Sequence, residues 1–91
     1  MEKRNEYIKQ LAAKLHEWDE KIDEMKTRAE MSAGGARLRY RQGLVELKAL
    51  REQAAVLLEE VREATVDTWD DVKARTDRLI EDVRKSLRKA A

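Results

Sequence analysis

Ninety-one residues suffice for one small domain or one long rod. With 43% charged and 42% apolar residues, no Pro, no Cys, no Phe and three Gly, the composition suits long helices and excludes disulfide or thiol chemistry. A net charge of +1 gives no bulk attraction to nucleic acid or membranes. No apolar run approaches the ~18 residues of a spanning helix. The opening MEKRNEYIKQ has no signal-peptide core, so a cytoplasmic location is expected.

Residues 2–32 carry an apolar stripe at Ile8, Leu11, Leu15, Trp18, Ile22, Met25 and Ala29. Its alternating steps of three and four are a heptad seam on an uninterrupted helix. Residues 32–36, Ser-Ala-Gly-Gly-Ala, are the clearest breaker, since two glycines cost roughly 2 kcal/mol of helix propensity relative to alanine. They read either as a turn or as a stretch of continuous helix where a neighbouring backbone comes close. The stripe keeps its phase through Ala29, Ala33, Ala36 and Tyr40. Arg37, Arg39 and Arg41 would also oppose the dipole of a new helix. Both points favour continuity, and the turn stays open.

The stripe resumes with Tyr40, Leu44, Leu47, Ala54, Leu58 and Val61, and Leu50 and Leu57 widen it. A second candidate break lies at 64–68, where Thr68 precedes Trp69-Asp70-Asp71 in the manner of an N-cap followed by first-turn acids. Residues 59–91 repeat every eleven positions: EEVREATVDTW, DDVKARTDRLI, EDVRKSLRKAA. Eleven residues in three turns keep one stripe nearly parallel to the helix axis. That stripe is Val61, Thr65, Trp69, Val72, Thr76, Ile80, Val83 and Leu87. It serves helix packing and a lipid surface equally well.

The expected fold is all-α. Long amphipathic helices form an antiparallel coiled-coil hairpin or a three-helix bundle, a single domain over 1–91 completed by self-association. In a three-helix bundle the basic regions 26–41 and 84–89 would gather at one pole.

Catalytic chemistry has little to stand on. His16 is the only histidine, and no second one follows at a metal-site spacing. The acidic pairs Glu59-Glu60, Asp70-Asp71 and Glu81-Asp82 diverge by about 100° on a helix. No catalytic residue, cofactor or metal ligand is therefore assigned. Arg37 and Arg41 share a face beside Tyr40, a footprint of about two or three phosphates. With Arg84, Lys85, Arg88 and Lys89 they are the candidate anion contacts.

The interaction seam is expected to be Leu11, Leu15, Trp18, Ile22, Met25, Leu44, Leu47, Leu58, Val61, Trp69, Val72, Ile80, Val83 and Leu87. Its owner reads as a non-enzymatic scaffold, adaptor or stress-protective coiled coil with a helical or identical partner. The alternative is reversible lipid-surface binding by residues 59–91, prompted by Trp69, the seam threonines and the basic last turn. Weak nucleic-acid binding by the basic pole is a lesser alternative.

The run Tyr7, Leu11, Leu15, Glu17-Trp18, Ile22, the region of Tyr40, Leu50-Arg51, Ala54, Leu58, Arg62-Glu63-Ala64 and Asp67-Thr68-Trp69-Asp70-Asp71-Val72-Lys73 resembles small bacterial coiled-coil stress-response proteins with apolipoprotein-like helices. The shared features are mostly heptad grammar; the Trp-acid-acid-Val-Lys segment is the most distinctive. Gly34-Gly35 departs from that family's pattern. The resemblance implies a non-enzymatic helical protein and assigns no site residues.

Overall fold

The computed structural model describes residues 2–90. Three helices account for nearly all of them: α1 (Glu2–Met31), α2 (Gly34–Glu63) and α3 (Trp69–Ala90). They run up, down and up in a bundle 50 Å long and 18 by 17 Å across. Both candidate breaks are turns. None of the helices is long and apolar enough to cross a membrane.

The first turn comes from one backbone requirement. Ala33 is extended (φ −136°, ψ 163°), and Gly34 takes φ +62° to swing the chain into α2. That left-handed conformation is free to glycine and costs any other residue. A Cβ at either Gly34 or Gly35 would meet nothing within 4 Å, so close backbone approach is not the reason for the pair. Nor do the arginines oppose the turn. The Arg37 guanidinium donates from Nε to the Ala29 carbonyl at 3.2 Å, which places its charge at the C-terminal end of α1, where the dipole favours a cation.

The second turn is a helix cap displaced by three residues from the expected one. The Thr65 carbonyl accepts from the Trp69 amide at 2.9 Å and from the Thr68 amide at 3.2 Å. The Thr65 amide donates to Thr68 Oγ1 at 2.9 Å. Thr68 therefore fills the place that Glu holds in a capping box, satisfying the amide of the residue three before it. The Thr68 carbonyl in turn accepts from the Val72 amide at 3.0 Å, continuing the ladder into α3. Thr65 consequently sits in an exposed turn and not on the apolar stripe. The first eleven-residue block runs from the end of α2 through this turn to Trp69, and residues 70–90 make up the rest of α3.

The expected seam is the core. Leu11, Leu15, Trp18 and Met25 of α1 pack with Leu47, Leu58 and Val61 of α2 and with Val72 and Val83 of α3. Ile22, Leu44, Trp69, Ile80 and Leu87 lie half-buried against it. Leu79 is buried more completely than its neighbour Ile80. Thr76 and Ser86 are also buried. The Thr76 hydroxyl donates to the Val72 carbonyl at 2.8 Å, so its burial leaves no unmet hydrogen bond.

The bundle is uneven. α2 contacts both neighbours, but no Cα of α1 lies within 8 Å of one in α3 among the described residues. Side chains close that gap. α3 is also shorter, with 22 residues against 30 in each of the others. The far end of the α1–α2 hairpin, with half-buried Tyr40 and Leu44, therefore extends past it.

Candidate functional site

α2 has two apolar faces. The inner one carries Leu47, Ala54, Leu58 and Val61. On the opposite side stand Leu38, Val45 and Val56, exposed to 58%, 70% and 62%, with exposed Ala49 between them. At about 100° per residue, these four fall within roughly 20° of one line along the helix, diametrically opposite the core line. A bundle of this size is expected to be polar on that side. Isolated exposed aliphatics are ordinary, but a straight row of them is not.

The charges beside the row are polarised. Arg39, Arg41 and Lys48 flank its N-terminal half; Glu52, Glu59 and Glu60 flank its C-terminal half. Arg39, Arg41, Lys48 and Glu52 enter none of the ion pairs recorded among the described residues.

Other charges hold the helices in register. Arg51 grips Asp19 across α1 and α2 with two hydrogen bonds, Nε to Oδ1 at 2.7 Å and Nη2 to Oδ2 at 3.1 Å. The Arg51 hydrogen bond holds the Asp19 carboxyl below its ordinary pKa against a smaller opposing effect of burial. Arg75 ties α3 to α2 through Glu60 at 3.2 Å and also reaches Asp71.

At the α1–α3 gap the Tyr7 hydroxyl donates to Asp77 Oδ1 at 2.5 Å, and Lys73 donates to Oδ2 at 3.0 Å. Burial alone would raise the Asp77 pKa, but these two donors outweigh it and lower it. Burial, and then the carboxylate of Asp77, pushes the Tyr7 phenol well above its usual value. The Tyr7 and Trp69 rings meet edge to face at 5.6 Å, with Lys73 Nζ 5.6 Å from the Tyr7 centroid. Tyr7, Trp69 and Lys73 also line an open cleft with Lys3, Glu6 and Gln10. Nothing in the apolar pattern announced this end of the gap, because Tyr7 and Asp77 are polar partners seventy positions apart.

The other candidates are dispersed. His16 is an exposed residue 3.3 Å from Glu20. Of the six paired acids four meet arginines, Glu59 with Arg62, Glu60 and Asp71 with Arg75, and Glu81 with Arg84, and the pairs do not converge on one point. Arg37 is engaged with Ala29, while Arg41, Arg84, Lys85, Arg88 and Lys89 are exposed. The expected single basic pole is not formed, because α3 stops short. Carrying the register on from the Arg75–Glu60 pair sets Arg88 level with Leu47, roughly 9–15 Å along the axis from Arg41 and Arg37.

The row at Leu38, Val45, Ala49 and Val56 was legible in the sequence as spacings of 7, 4 and 7. A single-stripe reading of each helix passes over it. No family model, characterised protein or solved structure matches the chain.

Proposed function

We propose that the chain is a non-enzymatic helical interaction protein, a scaffold or adaptor that meets its partner through the outer face of α2. One observation carries the reading: a helix that already packs Leu47, Ala54, Leu58 and Val61 into the core presents a second, uncovered aliphatic row on its far side. Burying a Val or Leu side chain contributes about 1.5–3 kcal/mol, which a monomer leaves unclaimed at Leu38, Val45 and Val56. The original seam is a poor docking surface, because a partner would have to displace a helix to reach it. The same objection weighs on lipid binding by residues 59–91. Thr76 is dry and satisfied, and releasing α3 uncovers Val61 and Val83, both at 0% exposure. The helical grammar shared with stress-associated coiled-coil proteins accords with a protective or scaffolding role.

A photo-reactive amino acid placed at Val45, with a control at exposed His16 on α1, tests the reading in cells. The expected result is a discrete protein adduct from position 45 and none from position 16. Equal labelling at both positions, or none at 45, overturns it.

A further inference from the structure

The polarity of α2 identifies the partner that its outer face fits. We propose that it is a second copy of this chain, with the two α2 helices packed antiparallel about a two-fold axis near Ala49 and Leu50. This rests on the outer face of α2 being the interaction surface, and it goes further by naming the occupant and the register.

A parallel pair would set Glu52, Glu59 and Glu60 against their own copies, and Arg39, Arg41 and Lys48 likewise. An antiparallel pair sets each basic half on an acidic half. A two-fold axis across the helices also brings each flank against the same flank of the partner. On one flank Arg41 then lies opposite the partner's Glu59 and Lys48 opposite the partner's Glu52. On the other, Glu60 stays with Arg75 of its own chain. Glu46, the one acid in the basic half, falls opposite the partner's Gln53, which is neutral.

One register satisfies all of these pairs, and it also stacks Val45 on the partner's Val56. The small Ala49 sits at the axis, where the two backbones come closest. That register overlaps almost the whole of α2, from about Arg37 to Glu63, some 40 Å of helix.

The interface is narrow, one helix wide, at the low end of specific contacts. Its dissociation constant is accordingly on the order of micromolar. Because the contact is isologous, every substitution is felt twice.

The charge register gives a test that a merely structural effect would not reproduce. Arg41 and Glu59 are eighteen residues apart on one helix, about 27 Å, so they couple only through a partner. Arg41→Glu alone and Glu59→Arg alone should each weaken dimerisation about tenfold or more. An equimolar mixture of the two variants should recover it, because the mixed pair restores opposite charges on both sides. Sedimentation from about 1 to 500 µM reads this directly.

The chain has no cysteine, so single replacements give a second reading. Ala49→Cys should form an inter-chain disulfide under oxidation, and Leu38→Cys, far from the axis, should not. A crosslink at position 38 but not at 49 overturns the antiparallel register. A wild-type chain that stays monomeric throughout the range overturns self-pairing, as does a dimer indifferent to both charge changes. Where self-pairing fails while a photo-crosslinker at Val45 still captures a different protein, the interaction surface stands and only its occupant changes.

Discussion

Replacing Gly34 and Gly35 one at a time with alanine should move stability in opposite directions, although the residues are adjacent and neither is packed against anything. At Gly34 the backbone has φ +62°, and holding an L-residue there costs roughly 1–2 kcal/mol. The stiffer unfolded chain returns about 0.4–1 kcal/mol of that, leaving a net loss near 1 kcal/mol. At Gly35 the helical backbone accepts alanine, and a Cβ there meets no atom within 4 Å. The helix propensity gain of up to about 1 kcal/mol is reduced in a first turn, to roughly 0.5 kcal/mol. For a domain of this size ~1 kcal/mol shifts Tm by about 4–8 °C. Thermal melts followed by circular dichroism should therefore show Gly34→Ala lower by about that amount and Gly35→Ala higher by about half of it. If both lower Tm equally, the reading of the turn fails, because that pattern belongs to two glycines kept for close contact.

Three further outcomes are expected. Val72→Asp places an unpaired carboxylate at a 5% exposed core position; a cost of about 3–5 kcal/mol should unfold most of the chain, seen as loss of helical signal at 25 °C. Thr68→Ala removes the acceptor for the Thr65 amide and should cost about 0.5–2 kcal/mol in a urea titration, with an unchanged helical spectrum. Asp19→Asn should cost about 0.2–1 kcal/mol at neutral pH. The Asp19 carboxyl titrates below its ordinary value of 3.8 in the folded chain, so its contribution is present above that pH and is lost as pH falls through the lowered value. The difference between wild type and variant should therefore shrink below about pH 4 in acid-range melts, and a gap that persists there would contradict the Arg51 pairing.

Most of the fold could be read from apolar spacing, and the difficulties have specific causes. Phase continuity through Ala29, Ala33, Ala36 and Tyr40 argued for one long helix. In an antiparallel hairpin, however, each helix must present its own apolar face inward, so an unbroken stripe is compatible with a reversal. Arg37 counted against a new helix only while its charge was assigned to the start of α2; its reach back to Ala29 was not visible in one dimension. Thr65 kept the eleven-residue phase, yet local hydrogen bonding with Thr68 claimed it for a turn. The basic pole depended on α3 reaching the end of the bundle, and helix length decided otherwise. The outer face of α2 was written in the sequence throughout. The stronger inner stripe of the same helix masks it, because that stripe accounts for most of the helix's apolar residues.

If the bundle closes its own seam and keeps the outer face of α2 for a partner, self-association depends on Val45 and Val56 while folding does not. Light scattering on wild type and on the double variant Val45→Glu, Val56→Glu, each with a thermal melt, tests it most directly. The wild-type mass should rise from one chain towards two with concentration, and the variant should stay at one chain with an unchanged melt. Equal masses at every concentration, or a variant that loses its helical fold, would contradict it.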